Sequence, residues 1–319
     1  WPLTSSRVNG MPDFAPANEA FLWMNQATED PGGVQNPEMK PAYGVIAPWH
    51  FGPWLNYIAE RPALATPFIL SVKEQEAIRM SIDFFLATEE MEAVKLAENQ
   101  DLRYVVVREI DPFLPTYLEV QGRSMADFVG ATKSLGDDAL HYAAVYYRTM
   151  TNQMLLLDGC REERLGLPGL GQFRIVYESS YHFQRSVGLL DGSSKAPPLG
   201  VSSVKIFERM KGARLEGMGA PLEEVVARLR VRTNQGRVFV YEKGVRSDET
   251  GRFSMRVPYA PGEKWEGGLT RALGLYEITG VGGSARTAVT EEQVRLGARV
   301  EVGALKHGAA EAAPEGNSL

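Results

Sequence analysis

Cysteine and histidine are scarce in this chain of 319 residues. Cys160 is the only cysteine, so no intrachain disulfide can form, a usage compatible with an exported bacterial domain. The four histidines, His50, His141, His182 and His307, fall in no HExxH or other metal spacing. No apolar run approaches the roughly 18–20 residues that a membrane helix requires. No basic segment leads into an apolar run as in a signal peptide. Basic blocks and aromatic–basic stripes are also missing, and the net charge is −6 with both signs mixed along the chain, so nucleic acid is not an expected partner. There is no CxxC and no GxSxG around a serine. The Gly-rich run GLPGLGQF (166–173) lacks the GK[ST] ending of a phosphate loop and reads as a plain loop. Asp137 with Asp138, and Glu89 with Glu90, stand at helix starts, where the helix dipole accounts for them. The chain opens WPLTSS without Met, which suggests a processed product or an excised part with membrane spans or a signal upstream.

The length allows about two domains, and 44% hydrophobic residues allow a sizeable core. Residues 15–30 read as a helix with Asn18 as N-cap; 42–48 as a short buried strand; 71–88 and 89–100 as two helices, the second starting after Thr88. Residues 102–109 and 172–180 read as buried strands, with one long helix over 137–159 between them. This alternation predicts an α/β domain over 1–195. DGSSKAPPLG (191–200) has linker composition. Beyond it, short runs at 202–210, 227–233, 237–243, 251–260, 275–280 and 298–303 alternate polar and apolar residues between Gly- and Asp-containing turns. They predict an all-β, immunoglobulin-like antiparallel sandwich over 201–303, with SDETGRF (247–253) as a tight turn. The Ala/Gly/Glu-rich tail, 304–319, reads as disordered.

The stretch APWHFGPWLNYIAERPALATPF (47–68) puts Trp49, His50, Phe51 and Trp54 among Pro48, Gly52 and Pro53. Pro and Gly there argue against a regular helix or strand, so the rings are expected on a turn after a strand at 43–47, with at least one partly exposed to a cleft. An unpaired buried imidazole costs roughly 1–3 kcal/mol. Several roles stay open for these residues. Trp49 and Trp54 fit a core, His50 fits a cap on a neighbouring helix, and Arg61 fits a surface ion pair.

YGVIAPWHFGPWLNYIAERPALATPF (43–68) resembles the signature region of the oligosaccharyltransferase catalytic subunits, membrane enzymes that transfer a lipid-linked glycan to asparagine. In that family a strand runs into W-W-D-Y-G, then a Trp, an apolar segment and an R-P-x-x-A-N-P-F-like tail. Here the motif is Pro48, Trp49, His50, Phe51 and Gly52, followed by Trp54, Arg61, Pro62, Ala65 and Pro67. The likeness continues through 84–107, 146–159, 173–180, 204–217 and 251–260, in order along nearly the whole chain. It implies an extracytoplasmic, periplasmic-face region that follows a multi-helix membrane domain. The lipid-linked oligosaccharide and a divalent metal, Mn or Mg, would be held in that membrane part, so this chain is expected to lack catalysis by itself and to bind the acceptor polypeptide. The family's motif binds the Ser or Thr hydroxyl two residues after the acceptor Asn.

Residue by residue, the carry-over nominates Trp49, His50 and Phe51 for acceptor binding. Only Trp49 and Gly52 match the motif; Pro48 has no side-chain donor, and His50 replaces a charged acceptor with an imidazole. A second family element, D-x-x-K-x-x-x-M-x-x-I on a short helix, maps to DPFLPTYLEVQG (111–122) through Asp111, Leu114, Leu118 and Gln121. Only Asp111 matches, Pro112 and Pro115 argue against an unbroken helix, and a turn Asp before Pro112 is an equal reading. The competing function is a non-catalytic binding or interaction module whose altered pocket no longer reads a sequon. A third makes the β-sandwich a carbohydrate module with Tyr259, Trp265 and Tyr276 as stacking rings.

Overall fold

The computed structural model describes residues 14–34, 36, 38–130, 141–185, 199–261 and 270–305. The first body is a four-stranded sheet in the order Gly44–Ile46, Leu102–Arg108, Val204–Arg209, Phe173–Glu178. The first pair is parallel and the other two are antiparallel. A parallel pair needs a crossover, and the helices Val72–Leu86 and Glu90–Asn99 supply it. Strand alternation sorts the sheet's side chains onto two faces. Tyr104, Val106 and Ile206 pack with Ala17, Ala20, Phe21 and Met24 of the helix Ala15–Ala27. Val105, Val107 and Phe207 point the other way, onto Ile82 and Phe85.

Helix ends show how local chemistry sets boundaries. Ser71 accepts the Glu74 backbone N–H and caps Val72–Leu86. The helix Ala15–Ala27 begins at Ala15 rather than after Asn18, because Pro16 suits the first turn, where its missing N–H is not needed. At the next helix Glu89 rather than Thr88 stands at the N-cap position, without a side-chain cap hydrogen bond. Glu90 does more than meet a dipole: its Oε1 accepts the backbone N–H groups of Gly171 and Gln172, both at 2.7 Å. The long helix expected over 137–159 is not continuous. His141–Tyr142 pairs with Val129–Gly130 as a short ribbon, and two short helices follow, Ala144–Arg148 and Met150–Leu155. Thr149 divides them at φ −60°, ψ 146°. Its hydroxyl donates to the Tyr146 carbonyl at 2.8 Å and accepts from the Asn152 N–H, closing one helix and opening the next.

The strand Val204–Arg209, expected to open the sandwich, instead lies inside the first sheet. Five of its six residues are buried, as an interior strand requires. The supposed linker also does not divide the chain. Its residues 191–198 lie outside the described set, but Leu199–Ser202 pairs with His182–Arg185 as an antiparallel ribbon leading straight into that interior strand. The β-rich region begins at Ala213. Four antiparallel strands run in the order Val238–Arg246, Glu224–Arg232, Arg271–Gly280, Gly283–Thr287. A three-stranded sheet runs in the order Arg252–Val257, Ala213–Met218, Arg299–Ala304. Its last pair is parallel, which departs from the expected all-antiparallel sandwich. The expected turn at 247–253 is present, with Asp248 accepting from Thr250 and Arg252 N–H, and it carries the chain from one sheet to the other. Of the expected tail, Ala304 ends a strand and Leu305 is buried; the rest lies outside the described residues.

One apolar cluster joins both regions, from Ile46, Phe85 and Phe207 to Val225, Tyr241 and Ile278. Ion pairs line the same seam. Arg237 donates to Asp158 and Glu178, and Lys205 donates to Asp158 at 2.7 Å. Burial alone would raise the Asp158 carboxyl, but Lys205 and Arg237 hold it below the usual range. Arg174 joins Glu208 to Glu291.

Candidate functional site

After the buried strand Gly44–Ile46, the stretch at 47–68 takes a helical path of changing pitch. Trp49–Phe51 is a 3-10 turn, Gly52–Trp54 an α turn and Leu55–Ala59 a π turn, ended by Glu60 at φ 52°. Pro48 caps it and Pro53 sits in the first α turn, positions where no N–H is demanded; the two prolines are therefore compatible with helix. Gly52 is not there for a sharp bend, since its φ is −49°. A Cβ at that position would lie 2.2 Å from the Ala65 carbonyl oxygen and 2.9 Å from Thr66 Cα. Glycine lets residues 65–66 pass directly over the motif.

The three nominated rings separate by environment. Phe51 is fully buried, edge-on to Phe21 at 5.5 Å, so it is a floor rather than a surface group. Trp49 and His50 are half-buried. His50 stacks on Phe113, centroids 4.4 Å apart, and Arg108 lies 5.3 Å over the Phe51 ring. Trp54 is 37% exposed and packs on Phe14, which makes it neither a core plug nor part of this cluster. Both ring nitrogens of His50, Nε1 of Trp49 and the hydroxyl of Tyr117 are buried without a hydrogen-bond partner among the described residues. His50 therefore caps no helix. Burial, aided by the Arg108 charge, lowers its pKa to about 4, so the imidazole is neutral at pH 7.

Asp111 opens the turn Asp111–Phe113, and its side chain lies outside the described set. The turn runs into a real helix, Leu114–Gln121, because Pro115 falls in its first turn. Leu114 and Leu118 are core residues, and Gln121 donates to Asp83 at 3.0 Å. The mapped element does pack beside the motif, through Phe113 rather than through the matched positions. Sequence reasoning missed Arg108, Phe113 and Tyr117; the aromatic spacing Phe113–Tyr117, one helical turn apart, was the available signal.

Arg61 is not a surface ion-pair residue. It is buried, and its guanidinium donates to the Thr28 carbonyl at 2.7 Å, to Thr28 Oγ1 at 2.9 Å and to the carbonyls of Met24, Asn25, Ala59 and Glu60. It closes the C-terminal end of the first helix and fixes the chain leaving the motif. Tyr259 and Tyr276 are buried too, the Tyr276 hydroxyl donating to the Tyr259 carbonyl at 3.0 Å, so neither is a surface stacking ring. Trp265 lies outside the described residues. A cavity of about 820 Å³, lined by Tyr43, Arg103, Glu208 and Lys211 among others, touches neither Trp49 nor His50. No group of three or more His, Cys, Asp or Glu among the described residues is placed to hold a metal ion. No helix there is long and apolar enough to cross a membrane.

Comparison with known proteins agrees with this architecture. Residues 15–110 match the AglB core domain and residues 212–300 match the long peripheral domain of archaeal glycosylation protein B, together more than half of the chain. The chain is 24% identical over 333 residues to dolichyl-phosphooligosaccharide-protein glycotransferase 3 of Archaeoglobus fulgidus, covering 76% of this chain and 37% of that protein. It resembles the crystal structure of the Archaeoglobus fulgidus oligosaccharyltransferase in complex with Zn and sulfate, with TM-score 0.73 and 21% identity over 92% of this chain and 47% of that one. The structure of that enzyme tethered to an acceptor peptide containing the NVT sequon gives TM-score 0.70 at 20% identity, over 92% of this chain and 44% of the other. At such identities the structural likeness speaks for the fold. The chain belongs to the oligosaccharyltransferase catalytic-subunit family of the archaeal AglB type. It spans less than half the length of these relatives.

Proposed function

We propose that this chain is the extracytoplasmic, periplasmic-face region of a membrane oligosaccharyltransferase and binds the acceptor polypeptide in protein N-glycosylation. The observation that carries this reading is the set of polar atoms on Trp49 and His50 that lack a partner among the described residues, at positions that align with the family's acceptor motif, where Trp49 matches it and His50 replaces its Asp. Trp49 Nε1 can only donate, while a neutral imidazole both donates and accepts. A Ser or Thr hydroxyl would satisfy both, accepting from the indole and donating to His50. Phe51 forms the floor, and Asp111 stands at the start of the turn that brings Phe113 onto His50.

In the full reaction the acceptor amide nitrogen bonds to the anomeric carbon of the lipid-linked oligosaccharide. The bond from that carbon to the phosphate oxygen breaks, and the amide gives up a proton. The glycan donor and the divalent metal, Mn or Mg, belong in this reading to a membrane part outside this chain, so the chain alone does not transfer glycan.

Titration of the chain with an Asn-x-Thr peptide and its Ala-for-Thr analogue tests the reading. One hydrogen bond is worth about 0.5–1.5 kcal/mol, so the Thr peptide binds about 2–10-fold tighter. His50→Asp restores a charged acceptor and widens the difference. Equal affinities in both proteins would overturn the acceptor role and leave the non-catalytic interaction module, which Pro48, without a side-chain donor, favours.

A further inference from the structure

The segment that crosses the motif ends in an exposed apolar tip. Ala65 and Thr66 lie against Gly52. The chain then runs through Pro67 into Phe68, Ile69 and Leu70, and the helix Val72–Leu86 begins two residues later. Phe68, Ile69, Leu70 and Val72 are 59%, 56%, 86% and 70% exposed. Nowhere else among the described residues do three large apolar side chains in a row stand open to water. The tip is nonetheless tied down. Glu74 Oε2 accepts from the Leu70 N–H at 2.8 Å and from the Ser71 hydroxyl at 3.0 Å, and Ser71 Oγ accepts the Glu74 N–H in return at 3.3 Å.

Folding gives no reason for these side chains. They contribute little to the core, and the Ser71 cap needs none of them. A surface that covers them does, and the area selects which kind. Four part-exposed side chains present roughly 300–500 Å² of apolar surface. A stable protein interface takes roughly 800 Å² from each partner, so a second copy or a separate protein is poorly served. A lipid surface needs no such area, because a few apolar side chains entering the headgroup layer suffice for reversible binding. It demands instead that backbone polar groups at the point of entry be satisfied from within. Glu74 meets that demand for the Leu70 N–H. Lys73, exposed beside Val72, balances the Glu74 charge, so nothing at the tip selects anionic lipid.

We propose that Phe68, Ile69, Leu70 and Val72 form a membrane-contacting tip that seats this chain on the surface of a zwitterionic phospholipid bilayer. An extended chain advances at most about 3.6 Å per residue, so Thr66, lying against Gly52 of the motif, is within about 14 Å of Leu70. Seating the tip therefore holds the motif close to the lipid surface. The inference rests on the reading above for a bilayer being at hand and for what the motif does beside it. Lipid contact itself needs neither Trp49 nor His50.

Flotation of the full chain with phosphatidylcholine vesicles at millimolar lipid tests this. The chain floats, binding more weakly than a single myristoyl group, whose association constant is about 10⁴ M⁻¹. Binding is unchanged when salt is raised or phosphatidylserine is added. Leu70→Asp changes a side chain on which the fold does not depend, so the melting temperature holds while vesicle binding falls about tenfold or more. Val281→Asp, at an exposed apolar residue in the turn between Arg271–Gly280 and Gly283–Thr287, leaves binding as it was. A wild type that stays at the bottom of the gradient, or a Leu70→Asp variant that floats as well, would overturn the tip. Equal losses in both variants would show unselective adhesion and overturn it too. Self-association of the wild type, abolished by Leu70→Asp and without vesicle binding, would assign the tip to a second copy instead. Titration of the same proteins with the Asn-x-Thr peptide and its Ala-for-Thr analogue keeps the two readings apart. Leu70→Asp retains the wild-type peptide preference, and a chain that floats without any preference loses the acceptor role while the tip stands.

Discussion

His50 stands where the family places an aspartate, and the exchange reverses the local electrostatics. A carboxylate there would be drawn to Arg108; the imidazole is kept neutral by burial and then by that same charge, with its pKa near 4. The remaining groups against it are the rings of Trp49, Phe51 and Phe113, none of which titrates. Folding thus favours the unprotonated form. Above the unfolded pKa of about 6.5 both states are neutral and the full stability is present. As pH falls from 6.5 toward 4, the unfolded chain takes up a proton that the folded chain refuses. Stability then drops by up to about 1.4 kcal/mol per pH unit. Urea unfolding at about pH 7 and about pH 5 measures the slope, and His50→Gln flattens it across that window. An identical slope in the variant would show that the imidazole titrates freely in the folded protein.

At the scale of elements, the motif is a helical path whose shape depends on a crossing chain. Gly52 has ordinary helical dihedrals, so any residue suits its backbone conformation. What requires glycine is the Ala65 carbonyl, 2.2 Å from where a Cβ would stand. Backbone atoms cannot give way as a flexible side chain can. Gly52→Ala therefore lifts residues 65–66 away or shifts the Trp49–Phe51 turn, with a loss of about 1–3 kcal/mol as for other overpacked sites. Denaturant midpoints measure it, and a change within about 0.5 kcal/mol would show that the crossing segment is loosely held. The paired helices around Thr149 follow similar logic: a strong helical pattern over 144–155 is cut where one hydroxyl competes for backbone groups on both sides.

For the whole molecule, the decisive element is Val204–Arg209. It lies between Leu102–Arg108 and Phe173–Glu178 in the first sheet, and the apolar core runs from that sheet into the β-rich region. Removing it strips Phe173–Glu178 of its ladder partner, leaves Leu102–Arg108 paired on one side only, and opens the core. A fragment ending at residue 200 consequently fails to fold, and the full chain unfolds in a single transition. Circular dichroism of the fragment, and coincident far- and near-UV unfolding curves for the chain, provide the check. A folded fragment would show that the sheet survives without its interior strand.

Local patterns determined much of this protein. The apolar runs at 102–109 and 172–180, the helix starting near residue 71, the turn at 247–253 and a succession of short strands in the C-terminal part were legible, because each is a choice made by neighbours along the chain. The motif and its order with later segments gave the family, and with it Trp49 and His50 as candidates. Long-range choices were not legible. Val204–Arg209 carries the composition of a strand in either body, and only its pairing with Leu102–Arg108 and Phe173–Glu178 assigns it. Arg61 resembles a surface arginine until the end of the first helix surrounds it with carbonyls. Tyr117 joins the candidate site through Phe113, a contact between segments more than sixty residues apart along the chain. Sequence spacing fixes periodicity and caps, whereas which buried polar atom finds a partner, and which is left to find a ligand, is decided only when distant segments meet.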